Sequence, residues 1–282
     1  MNQRQIIVFL GCVWGLGCTE SVTSGEMDVL TYNVHGLPSQ ITGDDTPARM
    51  DDIAPLLQEF AILGLQEDFD ESNHERLTAF SEHPTHVRFS ERLNEERIYG
   101  SGLSVLANAP LVSIQQEHYE DCSGVFDGAS DCLASKGFQV VRLQIGSDEM
   151  HTLDVYNTHL EAGNGPEDDT AREGHVTQLL ASLNGYSADQ AVVFLADTNL
   201  KDSDPEDLPV MTRLLAEGGL TELCVAVGCP EPGRIDRILY RSSAALSLDG
   251  TQWWVDERFV YPDGTPYSDH DPIAGRLSWQ AQ

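Results

Sequence analysis

Cations are what this chain has least of. Lysine and arginine number 16 against 46 aspartates and glutamates, for a formal net charge of −30. A surface of that sign repels phosphate backbones, so generic nucleic-acid binding is disfavoured. The surplus acid fits solubility in a salty medium, where self-repulsion is screened, or a specific cationic partner. Internal repeats, low-complexity tracts and interdomain linkers are missing as well, and with them solenoid and multi-module architectures. No cysteines stand in the CxxC spacing of a zinc site.

Apolar length is short too. The stretch IIVFLGCVWGLG (6–17) behind MNQR is too brief to span a bilayer as a mature helix and reads as a targeting segment. It ends at GLGC, with Cys18 followed by TESVTSGE. Small residues before a cysteine resemble a bacterial lipoprotein cleavage box, which makes residues 1–17 a signal peptide, Cys18 the lipidated residue and 18–25 a tether. Gly15 stands where leucine is usual, Cys12 is a weaker competitor, and ordinary secretion with cleavage near Ser24 is the alternative. Either way the protein is expected to be exported, as a bacterial cell-surface lipoprotein or a secreted protein. Export places the remaining cysteines in an oxidising compartment. They form two close pairs, Cys122/Cys132 and Cys224/Cys229, and local pairing is the simplest of the three connectivities. Each bridge would close a short loop, a stabilisation of roughly 2–3 kcal/mol at most.

What is present is an alternation of elements. Apolar runs recur at 27–34, 61–67, 102–108, 138–145, 152–160, 191–197, 234–241 and 271–277. Several are continuously apolar, as in strands covered on both faces. Helical spacing marks 46–60, 70–80, 168–183 and 204–219; in the first, Met50, Ile53, Leu56, Leu57 and Phe60 share a face. Strands interleaved with helices imply a single α/β domain over 26–282. Residues 115–137 read as the longest irregular stretch, the sort that carries function.

The buried runs end in polar residues that a core would not choose. These are Asn33 in TYNVHG, Glu67 in LQED, His159 in NTHLE, Asp197 and Asn199 in ADTN, Asp236 in RIDRI, and Asp269 and His270 in SDHD. Each has a bland reading: an asparagine after a strand is usually a turn former, a lone histidine is usually hydrogen-bonded structure, and Arg234 with Asp236 could be a weak surface pair. Their coincidence at strand ends argues for more. Glu67 and the Asn33 oxygen are hard ligands suited to Mg²⁺. His159, Asn199 and His270 are donors for a phosphoryl group, and Asp197 and Asp236 are bases or orienting carboxylates. That combination suits water attack on a phosphoester.

In this order, YNVHG, LQE, NTHLE, D-x-N, R-x-D-x-I and SDH-x-P resemble the endonuclease/exonuclease/phosphatase superfamily over essentially the whole mature chain. The resemblance implies a deoxyribonuclease-like α/β fold: a four-layer α/β/β/α sandwich of two packed mixed sheets flanked by helices, with the site at one end. It further implies that Asn33 and Glu67 bind a catalytic Mg²⁺, or another divalent cation such as Mn²⁺ or Ca²⁺. Asp197 would activate or position the water, Asn199 orient the phosphate, and His159 and His270 contact phosphoryl oxygens. Asp236 would orient His270, and Asp269 would assist at the metal or its waters. His35 stands where several nuclease members carry an acid, a departure that weakens a two-metal reading. ADTN replaces the commoner GD-x-N but keeps Asp197 and Asn199.

DCLASKGFQVVRL (131–143) is similar to the bacterial neutral sphingomyelinase branch, as are GLSVLANAPL and TYNVHGLP. That resemblance implies cleavage of sphingomyelin to ceramide and phosphocholine. Lys136 would contact the site or be a solvated strand-start lysine. Trp253, Trp254, Phe259 and Tyr261 would meet a membrane surface or serve sheet packing. A monomer is expected. The competing readings are a secreted nuclease of the same fold, a phosphatase acting on a soluble ester, and a surface lipoprotein that kept the fold without catalysis.

Overall fold

The computed structural model describes residues 22–123, 131–148 and 150–282. The signal segment and Cys18 lie outside the described residues.

Two six-stranded mixed sheets face each other. The first has the order β11-β12-β1-β2-β4-β3 and the second β5-β6-β7-β8-β10-β9. In the first sheet β1 is Ser24–Asn33, β2 Ile62–Gln66, β3 Thr85–Phe89, β4 Leu103–Ala107, β11 Leu246–Val255 and β12 Ile273–Ala281. In the second, β5 is Leu111–His118, β6 Gly137–Gln144, β7 Thr152–His159, β8 Ala191–Asp197, β9 Thr221–Glu222 and β10 Asp236–Arg241. The helices are α1 Ser39–Thr42, α2 Thr46–Ile53, α3 Glu71–Thr78, α4 Pro166–Asn184, α5 Asp207–Gly218 and α6 Leu223–Val227.

Three apolar cores separate four layers, which is why so many strands are apolar on both faces. Between the sheets, Val29, Ile62 and Val105 meet Val141, Val155, Val193 and Leu195. Outside the first sheet, Leu30, Tyr32 and Leu65 pack with Met50 and Ile53 of α2 and Leu77 of α3. Outside the second, Phe138, Tyr156 and Phe194 pack with Val176 and Leu179 of α4 and Leu214 of α5. Along β8 the alternation is direct: Val193 and Leu195 face the other sheet, Val192 and Phe194 face the helices. The expected α/β/β/α sandwich is the observed one.

Several expectations are corrected. The helix expected over 46–60 ends at Ile53 and continues as a 3₁₀ turn over Ala54–Glu59, where Pro55 cannot donate to an α-helical ladder. β5 occupies the start of what read as an irregular stretch; it is an edge strand with no fully buried residue, in which Leu111, Val112 and Ile114 are exposed and the polar residues partly covered, so it lacks the pattern of a core strand. β1 starts at Ser24, so two residues assigned to the tether pair with Gln280 and Trp279. Trp253 and Trp254 lie in β11, partly buried against the intersheet and outer cores respectively, the packing role weighed for them in sequence. Both local disulfides, Cys122–Cys132 and Cys224–Cys229, are formed.

Topology brings the chemistry to one end. β1 and β2 run parallel with Asn33 opposite Gln66, and β7 and β8 run parallel with His159 opposite Asp197. Antiparallel β10 begins at the same end, with Asp236 opposite Asp197. Antiparallel β12 is entered there too, through residues 268–272.

Candidate active site

The site grows out of strand ends where the ladder stops and the backbone must turn. Among the described residues three non-glycine positions have positive φ, and all three are here: His35 (49°), Glu67 (58°) and Asn199 (49°). Such conformers cost about 1–3 kcal/mol each and persist only when their surroundings over-determine them. The first two loops are interlocked: Val34 N–H donates to Gln66 O and Gly36 N–H to Glu67 O, both at 3.0 Å. A Cβ on Gly36 would sit 2.6 Å from Glu67 O, so only glycine permits that approach.

At the centre, the buried Asn33 amide donates to Glu67 Oε1 at 2.9 Å and to Asp197 Oδ2 at 3.1 Å. Its oxygen, expected to face a cation, accepts from His35 N–H at 3.0 Å. Burial, only partly offset by that Asn33 bond, raises the Glu67 pKa. Asp197 Oδ2 lies 3.4 Å from His159 Nε2 and 3.6 Å from His270 Nδ1. Burial holds the His159 imidazole neutral, its pKa well below the usual value, and its Nδ1 has no hydrogen-bond partner among the described residues.

His270 differs from His159. Burial opposes its charge, but Nδ1–H donates to Asp236 Oδ2 at 2.9 Å, and that carboxylate carries its pKa up to about 10. Asp236 is itself raised to about 6 by burial and by Asp197. The direction that matters is His270's: the pair stands as imidazolium and carboxylate at neutral pH. Asp197, Asp236 and His270 each bring a ligand atom within 4.8 Å of the others, a second grouping able to hold a cation. His270 is already committed to Asp236 there.

Asn199 and Asp269 are less central than expected. Asn199 N–H donates to Asp197 Oδ1 at 3.2 Å, while its side chain donates to Leu160 O at 3.2 Å. Asp269 lies 2.8 Å from His35 Nδ1. This bond draws Asp269 down to about 2 and raises His35. Both line a cleft of about 440 Å³ with Asp44, Arg49, Tyr267 and Asp271. Asp271 pairs with Arg234, which leaves Asp236 free for His270 and removes the surface-pair reading of RIDRI.

Sequence reasoning leaves one contribution open, Lys136, and misses another, His35. Lys136 is buried rather than solvated, and its Nζ donates to Leu160 O at 2.5 Å, one residue beyond His159. His35 was weighed only as the absence of an acid, although its pairing with Asp269 spans 234 residues of chain. The SKG triplet, a lysine entering an apolar strand, was the available signal for the first; none existed for the second.

A model of the Endonuclease/Exonuclease/phosphatase family matches residues 30–270, and the chain belongs to that family. The family's name joins nucleases and phosphatases, both of which act on phosphoester bonds. The "Sphingomyelinase" of Mycobacterium tuberculosis (strain ATCC 25618 / H37Rv) is 26% identical over 269 residues, covering 88% of this chain and 52% of that protein. The chain thus spans about half the length of the curated relatives it matches. The crystal structure of sphingomyelinase C from Streptomyces griseocarneus superposes with a TM-score of 0.65 at 20% identity, over 89% of this chain and 99% of that one. A variant of beta toxin from Staphylococcus aureus with bound magnesium ions gives 0.64 at 15% identity, over 89% and 99%. At these identities the structural likenesses establish the fold.

Proposed function

We propose that the protein is an exported, divalent-metal-dependent phosphodiesterase that cleaves sphingomyelin or a related phospholipid into ceramide and phosphocholine. The observation that carries this reading is the convergence on one point of a half-buried carboxylate, Glu67, joined through Asn33 to Asp197, and a half-buried imidazolium, His270, on the other side of Asp197. The donor set fits Mg²⁺: Glu67 supplies an anionic oxygen, and Asn33, whose amide nitrogen now faces Glu67 while its oxygen accepts from His35 N–H, would present that oxygen to the ion on turning its amide. When bound, the ion polarises a phosphoryl oxygen and neutralises developing charge.

The chain's own groups do the rest. Asp197 accepts a proton from, or orients, the attacking water, whose oxygen bonds to phosphorus as the P–O bond to ceramide breaks and the leaving oxygen takes up a proton from solvent to become the ceramide hydroxyl. His270, held by Asp236, donates to a phosphoryl oxygen as charge builds there. His159 is neutral and buried, and it offers a second donor without adding charge that would compete with the cation. Asn199 fixes the Asp197 carboxylate through its backbone. Asp269, at the mouth with His35, acts on the waters around the ion.

Similarity to sphingomyelinases and the net charge of −30 support a lipid over a nucleic acid. The two disulfides support export. The deciding experiment presents purified protein with sphingomyelin vesicles and with single- and double-stranded DNA at equal phosphodiester concentration in Mg²⁺. Faster release of phosphocholine is expected, and preferential DNA cleavage would make the protein a secreted nuclease.

A further inference from the structure

We infer that three arginines largely withdrawn from solvent, Arg49, Arg88 and Arg237, are positioning residues that hold the strained turns on which the active-site groups stand. This rests on the reading of Asn33 and Glu67 as the cation's holders. The pattern is repeated at each turn. After Asn33, Arg49 Nη1 and Nη2 donate to the successive carbonyls of Val34 (2.6 Å) and His35 (2.9 Å). After Glu67, Arg88 Nη2 donates to the successive carbonyls of Asp68 and Phe69, both at 3.1 Å. After Asn199, Arg237 Nη2 donates to Leu200 O at 3.1 Å. The left-handed residues His35, Glu67 and Asn199 therefore each lie within one residue of a carbonyl held by a guanidinium.

Each guanidinium is itself anchored by carboxylates. Arg49 pairs with Asp44, Arg88 with Glu71, and Arg237 with Asp202 and Glu222. Their exposure is slight: 1% for the Arg49 side chain, 11% for Arg88 and 1% for Arg237. In a chain with so few cations, burying three at one end requires a reason that surface pairing does not supply. The conformers they adjoin supply it. A left-handed non-glycine residue relaxes towards ordinary φ unless its carbonyls are held, and relaxation would swing Glu67 away from Asn33. Arginine suits the task because its rigid fork reaches two carbonyls at once, which a lysine ammonium on a flexible stem does not.

Arg241 provides the contrast. It uses the same fork on the carbonyls of Gly218, Leu183 and Ser187, but at the far end of β10 from Asp236. It touches none of the strained residues. If carbonyl-holding arginines merely stabilise the fold, Arg241 and Arg88 are equivalent.

The test uses the full protein, with Mg²⁺ affinity read by calorimetry and backbone hydrogen exchange of metal-free protein read at Gly36, whose N–H donates to Glu67 O. Arg49→Lys and Arg88→Lys are expected to weaken Mg²⁺ binding about tenfold or more and to speed Gly36 exchange about tenfold, whereas Arg241→Lys lowers the melting temperature and leaves both within about twofold. Glu71→Gln, which frees the Arg88 anchor at an exposed site, gives a milder change in the same direction and serves if Arg88→Lys fails to fold. The inference is overturned if the Arg49 and Arg88 variants match wild type in Gly36 exchange, or if Arg241→Lys alters Mg²⁺ binding and exchange equally. Absence of Mg²⁺ binding in wild type would refute the metal reading, and exchange at Gly36 would still decide on the clamps.

Discussion

Asp269 and His270 are neighbours in sequence, and each completes a histidine–carboxylate pair, with the roles exchanged. His270 turns inward to Asp236, and Asp269 turns outward to His35. The inner side chains are 17% and 5% exposed, the outer ones 32% and 65%. In the inner pair the charges are removed from solvent and the imidazolium is held over a wide pH range. In the outer pair water screens the same chemistry, and such contacts contribute about 1 kcal/mol or less. A third histidine sets the scale. His175 is fully buried, stacks on Tyr119 and donates to a carbonyl, Asp121 O, rather than a carboxylate. Burial pushes its pKa down to about 3. Burial alone discharges a histidine here, and a carboxylate 3.4 Å away, as Asp197 is from His159, does not reverse it; the direct hydrogen bond to Asp236 keeps His270 charged. On the mechanism proposed above, that difference would make His270 available as a phosphoryl donor at neutral pH.

The largest effect is expected from His270→Ala, which removes a preorganised donor and should lower kcat by about a thousandfold while the melting temperature holds. A loss no greater than that of His35→Ala would erase the distinction between the pairs. Asp236→Asn should cost on the order of a hundredfold. It also moves the alkaline limb of the rate profile to lower pH, because the carboxylate that raises the His270 pKa is gone. An unmoved limb would assign that limb to another group.

His175 gives a stability test of the burial half of the comparison. Its folded pKa lies below its unfolded value of about 6.5, so the unfolded chain takes up a proton that the folded one refuses. Stability from this group is intact above that value and falls as pH drops towards about 3. Between pH 6.5 and 5 the wild type should lose about 2 kcal/mol more than His175→Gln in urea unfolding; parallel losses would remove His175 from the acid response. Asp269→Asn should be the mildest change, about tenfold or less in rate. A loss as large as that of Glu67→Gln would make Asp269 a direct holder of the cation.

Much of this was legible before any coordinates, and the physical reason is contrast. Asn33, Glu67, His159, Asp197 and Asp236 stand out because strands apolar on both faces end in them. The hidden elements lack that contrast. β5 is a half-exposed edge strand, and β11 carries a register shift between Gly250 and Gln252 that breaks its alternation. Pairings such as His35 with Asp269 join residues 234 apart, and no local pattern records them. The arginine clamps were invisible for a different reason: a buried arginine holding carbonyls looks, in sequence, like any surface arginine.

The central claim is that Glu67 and Asn33 hold the ion on which hydrolysis depends. It is tested most directly by initial rates of phosphocholine release from sphingomyelin vesicles over a range of free Mg²⁺, for wild type and Glu67→Gln. The expected result is no turnover in excess chelator, recovery on adding Mg²⁺, and a requirement about tenfold or more higher in the variant. Full turnover in chelator, or an identical Mg²⁺ requirement in the two proteins, would contradict it.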